Sequence, residues 1–567
     1  MANISKLKRD DLIKKINDIK DFIVRSENDD NKQNLLTYLS EIEKDIKGKR
    51  YGLVFEEHRE EIDELLETHT PVLCENTELF VDNGGQVNFL IEGDNLASLK
   101  LLEKTHKGKI DVIYIDPPYN TGAKDWKYDN DFVDSNDTFR HSKWLSFMEK
   151  RLVIAKKLLT ENGVLICAID ENELHTLGLL LERTFGLNFE FHCLSIIHNP
   201  GGIQGKNFSY VHEYAIFVIP KGKKRIGLHN REDNPDIRPL RDVSTGNHLR
   251  TDAKNCFYPI FIKENEIIGF GDVCSDDFHP TSANEIHDNG IIAVYPIDAS
   301  GNERKWVFAR HTVESIANDL KVEYNKKRKI FDIIRVKTKF TYKTVWFDKE
   351  YNSNIFGTKL LRKIIPNCSF DFPKSYYNTK DCINAVLTPS NPTILDFFAG
   401  SGTTGHAVME LNEQDGGNRR FILCTNNENS ICRDVTYERI KTVITGIRKD
   451  GSHYAEPKQA SLKYYKIDYI PISERVYYEY ADDLLKHVRE LVELENGINF
   501  SGNSEIAIVL TDDELTDFTK NIDTYKICRV LYLGHDILPN VEQQILIESK
   551  QIEIKIIPNY YYRELGV

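Results

Sequence analysis

The sequence predicts an α/β protein built on a doubly wound, mostly parallel sheet that a long insertion splits in two. Three observations carry that expectation. From Val87 to Ile219, and again from Pro392 to Glu428, short apolar runs alternate with segments of helical periodicity. Between 200 and about 365 the alternation stops, and the chain turns rich in Gly, Asn, Asp, Lys and Arg. Two of the apolar runs end abruptly, one in Asp116-Pro-Pro-Tyr and the other in Asp396-Phe-Phe-Ala-Gly-Ser-Gly. Ligands of open α/β sheets bind at the carboxyl ends of the strands, so these two endings mark the candidate site.

The elements follow in order. Residues 1–70 read as helices: Ile4, Leu7, Leu12, Ile16, Ile19 and Ile23 recur at three- to five-residue spacing, and a second run spans Asn34 to Ile46. A break near Thr68–Pro71 opens the first part of the sheet, 71–220. There QVNFLIEG leads to Asp94 and the helical NLASLKLLEK, and the buried strand Ile110–Asp116 comes next. A helix around Trp144–Leu159 passes through Asn162-Gly163 into the strand VLICAID, and ENELHTLGLLLERTFG reads as the helix after it. The insertion, 221–365, carries short strands such as CFYPIFI and AVYPID. The second part of the sheet, 366–464, brings TILDFF, a glycine-rich turn, the helical TTGHAVMELN and the strand RFILCTN. Residues 465–567 form a small α/β unit from LLKHVRELVELE, EIAIVLT, ICRVLYLG and IEIKIIPN.

Composition excludes several classes. A chain of 567 residues fits three or four packed units, and 40% hydrophobic with 29% charged residues excludes a disordered or fibrous protein. The ten cysteines form no Cys-x-x-Cys pair, which argues against a zinc ribbon or a secreted disulfide framework and for a reducing compartment. The N-terminus lacks an apolar signal core and no run of 18 apolar residues occurs, so a soluble, cytoplasmic protein is expected. The net charge of −14 would ordinarily count against a nucleic-acid partner. Its distribution reverses that inference: residues 1–70 carry −4 and residues 451–567 carry −8, leaving −2 for everything between. Within that middle region, Lys221–Lys254 holds nine Lys and Arg against five Asp and Glu.

The two strand endings suggest complementary chemistry. Pro117 and Pro118 remove two backbone donors, so their carbonyls face outward without competition. Asp116, the Pro117 carbonyl and Tyr119 together suit a planar ring bearing an exocyclic –NH2 group. The two acceptors take its hydrogens while the tyrosine stacks on the ring. Drawing the hydrogens out of plane localises the nitrogen lone pair, and the anion stabilises the positive charge that grows as nitrogen attacks a methyl group. At the other ending, Gly400 and Gly402 allow a tight turn and close approach to a ligand, and the following helix offers free N–H groups. A ribose-binding acid is expected about 20 residues further on, and Glu428 lies 23 past Gly405.

Together the endings resemble motifs IV and I of the amino-methylating DNA methyltransferases, which place S-adenosylmethionine on a Rossmann-like sheet and methylate a flipped-out base. The catalytic motif precedes the cofactor motif, an order that resembles the β class, and the likeness runs from roughly 87 to 440. It implies that Asp116, Pro117, Pro118 and Tyr119 form the catalytic motif. It also implies that Asp396, Phe398, Gly400, Ser401, Gly402, Thr403 and Thr404 hold the cofactor. Ile91-Glu-Gly-Asp94-Asn95-Leu96 resembles motif III, whose Asp94 would contact the cofactor adenine. FDFPKSYYNTKDCI resembles motif X, placing Lys374 near the cofactor's methionyl end, with Ser375 where the family often has a second proline. Glu428 resembles the motif II acid that holds the ribose, in an unusually polar Thr-Asn-Asn-Glu setting.

Finer features, HNPGGIQGKNFSYVHEYAIFV, NCFYPIFI and YPIDASGNERKW, resemble the modification (Mod) subunits of type III restriction-modification systems. That likeness implies an N6-adenine DNA methyltransferase acting on double-stranded DNA, with the insertion as target-recognition domain. It further implies a homodimer and an ATP-dependent restriction (Res) partner in a prokaryotic cytoplasm, nucleoid-associated when bound to DNA. The candidate DNA readers are Arg225, Arg231, Arg238, Arg241 and Arg250, while Trp126, Tyr128 and Phe132 are candidate aids to base flipping. Residues 1–70 and 465–567 are expected to serve assembly. N4-cytosine methylation and a solitary adenine methyltransferase without a restriction partner remain open. A third alternative is a specificity subunit with an inactive fold. Gly201-Gly-Ile-Gln-Gly-Lys206 has the wrong spacing for a phosphate loop, and Asn207 replaces the required Ser or Thr.

Overall fold

The structure, a computed structural model, describes residues 4–25, 32–47, 53, 55, 60–128, 131–134, 140–204, 207–232, 234–472, 484, 486–500 and 505–558. The longer helices are α1 (Ile4–Arg25), α2 (Lys32–Lys47), α3 (Glu61–Thr68), α4 (Asn95–His106), α5 (Arg140–Leu158), α6 (Leu174–Phe185), α7 (Tyr376–Asn384), α8 (Thr403–Asp415), α9 (Glu438–Thr445), α10 (Val488–Asn496), α11 (Asp512–Lys520) and α12 (Val541–Ser549). The strands are β1 (His69–Glu75), β2 (Gln86–Glu92), β3 (Ile110–Ile115), β4 (Leu159–Ile169), β5 (Phe189–Ile197), β6 (His212–Pro220), β7 (Val345–Trp346), β8 (Thr393–Asp396), β9 (Arg420–Thr425), β10 (Ala460–Pro471), β11 (Ile506–Val509), β12 (Val530–Leu533) and β13 (Glu553–Ile556).

The first ten of these strands make one sheet in the order β1-β10-β2-β9-β8-β3-β4-β6-β5-β7. The six strands from β10 to β4 are all parallel, while β1 and β6 join antiparallel. This is the doubly wound α/β fold that the alternation of strand and helix signals predicts. The central strands are apolar on both faces because helices cover both. Phe89, Ile91, Ile113, Ile115, Leu165, Cys167, Leu395 and Ile422 belong to a core that Leu99, Leu102, Trp144, Met148, Leu152, Leu177 and Leu181 complete.

Two compact units emerge. One comprises residues 1–225, 344–384 and 388–567; the other comprises 226–343 with 385–387. The second is mostly short strands, in a four-stranded, a three-stranded and a two-stranded sheet, with brief helical turns and its own core around Tyr258, Ile260, Val294, Trp306 and Ile333. The insertion expected over 221–365 is therefore narrower, because β7 returns to the large sheet and pairs with β5. Two other expected boundaries cut through strands. The break at 70/71 falls inside β1 and the one at 464/465 inside β10, and the whole of β1 pairs with the second half of β10, His69 opposite Pro471 and Glu75 opposite Tyr465. Apolar alternation continues across both positions, so no composition shift marks them. The C-terminal strands β11, β12 and β13 form a parallel three-stranded sheet covered by α11 and α12, two helices that the sequence pattern did not bring out. No helix among the described residues is long and apolar enough to cross a membrane.

Candidate active site

The switch point of the sheet lies between β3 and β8. These neighbours are parallel, with Val112 opposite Ile394 and Ile113 opposite Leu395, so Asp116 and Asp396 leave the same edge side by side. From β3 the chain proceeds to β4 on one side, and from β8 to β9 on the other. Such a divergence opens a crevice at the carboxyl ends. β6 runs antiparallel to β4, Tyr214 opposite Ile169, and so contributes the residues at its beginning to that same edge.

Beyond β3 the Asp-Pro-Pro-Tyr turn is held from several directions. The Trp144 indole donates to the Pro118 carbonyl at 2.7 Å. That is a correction to the expectation that both proline carbonyls face outward without competition: α5 takes one. Asn120 is buried with φ of +58°, a left-handed conformation that asparagine tolerates better than most residues. Its amide donates to Glu173 at 2.5 Å and to the Arg140 carbonyl at 3.2 Å. Glu173, fully buried, also meets His141 at 2.6 Å and the Thr176 hydroxyl. These contacts pin the turn to α5 and α6.

Around Asp116 lies a buried charge cluster. Lys374 places its Nζ 3.4 Å from Asp116 Oδ1 and hydrogen-bonds both Glu213 and the Tyr119 hydroxyl. The Tyr119 hydroxyl donates to Glu213 Oε2 at 3.3 Å, and Asn378 Nδ2 donates to Glu213 Oε1 at 2.9 Å. Burial raises the Asp116 carboxyl above its ordinary value, and Glu213 adds to that while Lys374 opposes it. Burial also works against the Glu213 anion, yet Lys374 and then His198 bring its carboxyl below the ordinary value. Burial disfavours the Lys374 cation too, but Asp116 and Glu213 more than compensate and raise it. The resemblance puts Lys374 at the methionyl end of the cofactor; here its ammonium stands against Asp116 and Tyr119.

The glycine-rich turn after β8 is equally built. Asp396 is buried, accepts from the Phe398 backbone N–H at 3.0 Å and from the Thr404 hydroxyl at 2.6 Å, and burial pushes its carboxyl up to about 7. Gly400 and Gly402 hold φ of +48° and +75°, where any side chain would be strained. Phe398 packs on Phe147 with ring centroids 5.9 Å apart. Ser401 and Thr403 have partners below the turn: Arg439, fully buried on α9, donates to their hydroxyls at 3.1 and 2.8 Å. Those two hydroxyls brace the turn from beneath. At this edge the carboxylates Asp116, Glu213 and Asp396 outnumber the Lys374 ammonium, a balance that suits a ligand with a positive centre better than a diphosphate.

Asp94 caps α4, its Oδ1 accepting from Leu96 N at 2.7 Å, and Asn95 accepts from Arg151 at 2.5 Å. Arg151 in turn makes a two-pronged pair with Glu60 at 2.9 Å each. Glu428 sits exposed in a short 3-10 turn beyond β9, followed by Asn429 and Ser430 at positive φ. The arginines expected to read DNA divide. Arg250 is buried, bound to Glu303 at 2.9 Å and to the Phe278 carbonyl at 2.7 Å, and Arg241 pairs with Asp332 at 3.4 Å. Arg231 and Arg238 are exposed, and Arg225 belongs to the larger unit. Trp126, Tyr128 and Phe132 lie on a two-stranded hairpin whose side chains fall outside the described residues.

Sequence reading missed Glu213, Asn378, Trp144 and Arg439. Glu213 carried one signal: an acid immediately before the apolar run Tyr-Ala-Ile-Phe-Val-Ile, on a strand whose antiparallel course puts its start at the ligand edge. Arg439 carried none, since a lone arginine in a helix reads as a surface residue.

A doubly wound sheet with Asp-Pro-Pro-Tyr and a glycine-rich turn at its switch point defines a class, and a family model confirms it. The family described as DNA methylase, with N6 and N4 members, matches residues 110–441, and the chain belongs to it. Among curated relatives, the type II methyltransferase M.KpnI of Klebsiella pneumoniae is 31% identical over 398 residues, 67% of this chain and 90% of that protein. The EcoPI Mod subunit of a type III restriction-modification enzyme, from Escherichia phage P1, is 30% identical over 61% of this chain and 58% of its own length. The StyLTI Mod subunit of Salmonella typhimurium is 28% identical over 64% of this chain and 56% of its own length. The aligned region thus spans little more than half of these two Mod relatives.

Proposed function

We propose that this chain methylates the N6 amine of a flipped-out adenine in double-stranded DNA with S-adenosylmethionine, as the modification and specificity subunit of a type III restriction-modification system. The observation that carries the reading is the placement of Asp116 and Tyr119 beside the glycine-rich turn, with Trp144 and Asn120 holding the motif rigid. When bound, S-adenosylmethionine supplies an electrophilic methyl group. The Gly400–Gly402 turn and the N-terminus of α8 hold it, with Asp94, Asn95 and Glu428 as candidates for its adenosine part and Phe398 and Asp396 nearer the turn.

The chain's own residues prepare the acceptor. Asp116 and the Pro117 carbonyl take the two amine hydrogens, and Tyr119 stacks on the extruded base, replacing part of the lost stacking. The nitrogen lone pair, no longer shared with the ring, would form the new N–C bond as the methyl–sulfur bond breaks and leaves its electron pair on sulfur, and the positive charge on nitrogen would grow next to the Asp116 anion. One amine proton then leaves through Asp116 Oδ to solvent, restoring a neutral methylamine. Asp rather than Ser before Pro-Pro-Tyr favours adenine over N4 of cytosine.

Residues 226–343 would serve as the target-recognition domain, and the N-terminal helices with the unit from β11 to β13 would serve dimerisation and a Res partner, in a cytoplasmic setting. The decisive experiment is methylation-sensitive sequencing of DNA treated with the protein and S-adenosylmethionine. Site-specific N6-methyladenine is expected, and N4-methylcytosine would replace the adenine reading. Asp116→Ala is expected to lower methyl transfer by at least about a thousandfold, combining loss of charge stabilisation and of amine orientation. Transfer that survives that substitution would disprove the mechanism.

A further inference from the structure

We propose that Glu213 is a positioning residue for methyl transfer, sharing the Lys374 ammonium so that it pairs only loosely with Asp116 and leaves that carboxylate open to the exocyclic amine. The idea rests on the reading of Asp116 as the amine's acceptor and adds to it a residue that neither the motif nor its neighbours in sequence contain.

The geometry is unequal. One ammonium faces two carboxylates, the buried Glu213 and the partly exposed Asp116. Lys374 hydrogen-bonds Glu213 directly but stands 3.4 Å from Asp116 Oδ1, beyond the roughly 2.7–2.9 Å of a strong charge-assisted bond. Glu213 is 4% exposed and is fixed at its other oxygen by Asn378, one helical turn past Lys374. Tyr119, the stacking residue, is tied into the same network through its hydroxyl. The backbone entering Lys374 packs closely on Gly357, where a Cβ would lie 2.2 Å from the Pro373 carbonyl. With Glu213 in place, the cation has a partner of its own, and the pair of carboxylates keeps a net negative charge at the amine site. Without it, Lys374 has Asp116 as the remaining anion of this cluster and closes onto it. The incoming amine would then have to displace a desolvated ion pair, which is held strongly in a low-dielectric site.

The test compares Glu213→Gln with the double variant Glu213→Gln/Lys374→Met at saturating DNA and S-adenosylmethionine. Glu213→Gln keeps the shape and is expected to lower kcat about tenfold to a hundredfold, the range typical of partners that orient a reacting group from behind, with a much smaller change in KM for DNA. The double variant removes the cation that would mask Asp116 and is expected to be faster than the single one. Binding without S-adenosylmethionine supplies a second readout: the wild type is expected to prefer a duplex carrying adenine at the mapped site over one carrying amine-free purine. Glu213→Gln loses that preference and the double variant regains it. A double variant no faster than Glu213→Gln, or a single variant at wild-type kcat, overturns the proposal. If Asp116→Ala is inactive while Glu213→Gln is unimpaired, only the role of Glu213 falls. If Asp116→Ala remains active, the underlying reading falls with it.

Discussion

At the scale of single residues, the site is made of groups that are each held by something remote in sequence. Asp116 and Tyr119 come from the turn after β3, Glu213 from the start of β6, and Lys374 and Asn378 from the segment entering α7. Asn120 shows how local chemistry and tertiary contacts combine. Its left-handed φ of +58° suits asparagine, and its amide satisfies the buried Glu173 carboxylate. Asn120→Gly relieves the backbone but loses the hydrogen bond, whereas Asn120→Ala loses both the bond and the conformational tolerance. Urea unfolding is therefore expected to find the alanine variant less stable than the glycine variant by roughly 1 kcal/mol. Equal stabilities would show that the positive φ is not maintained.

At the scale of elements, a helix cap and a candidate cofactor contact coincide in one side chain at the head of α4. Asp94 accepts from two backbone N–H groups there, and the same position is the candidate contact to the cofactor adenine. Asn is as good a helix cap as Asp, so Asp94→Asn is expected to keep the unfolding free energy within about 0.5 kcal/mol. Asp94→Ala is expected to lose about 1 kcal/mol. If the carboxylate also binds cofactor, calorimetric titration with S-adenosylmethionine will show both variants weakened alike, although only one is destabilised. The helix after the glycine-rich turn follows a similar logic. Gly405 lies on α8 where a Cβ would come within 2.7 Å of Ile440 on α9, so its absence of a side chain lets the two helices approach while Arg439 braces the turn itself.

At the scale of the whole molecule, burial of acids and histidines gives the unliganded protein a defined pH dependence. Burial raises Asp396 and Glu490 to about 7 and Asp170 to about 6. A carboxyl with a raised folded value stabilises fully below its unfolded value and loses that contribution as pH rises through the folded one. Burial lowers His106 to about 3 and His406 to about 4, so these act in the opposite sense, but only below their unfolded value near 6.5. The two effects oppose each other between about pH 4 and 6.5. Above that range the carboxyls act alone, and stability is expected to fall by on the order of 1–2 kcal/mol between pH 6.5 and 8. Denaturant titrations at those two pH values check this, and Asp396→Asn is expected to remove about half of the slope. An unchanged slope in that variant would show that Asp396 ionises freely.

The sequence by itself determined the class of fold, the two strand endings and the chemistry they imply, because each is a local property. Apolar runs of strand length, prolines that remove donors and glycines at left-handed turns are legible wherever they occur. Domain edges were less legible, since β1 and β10 pair across almost 400 residues and alternate smoothly through the positions where a break was expected. The tertiary structure alone decided which charges share a pocket. Glu213 reaches Asp116 because β6 runs antiparallel beside β4, and Arg439 lies under Ser401 and Thr403 because α9 packs beneath the turn. It also separated Arg250, which is buried and bonded, from Arg238, which faces solvent, though both read alike in the chain. Periodicity reports which face of an element is apolar, whereas the partner of a buried charge is set by strand order and direction, which no single segment contains.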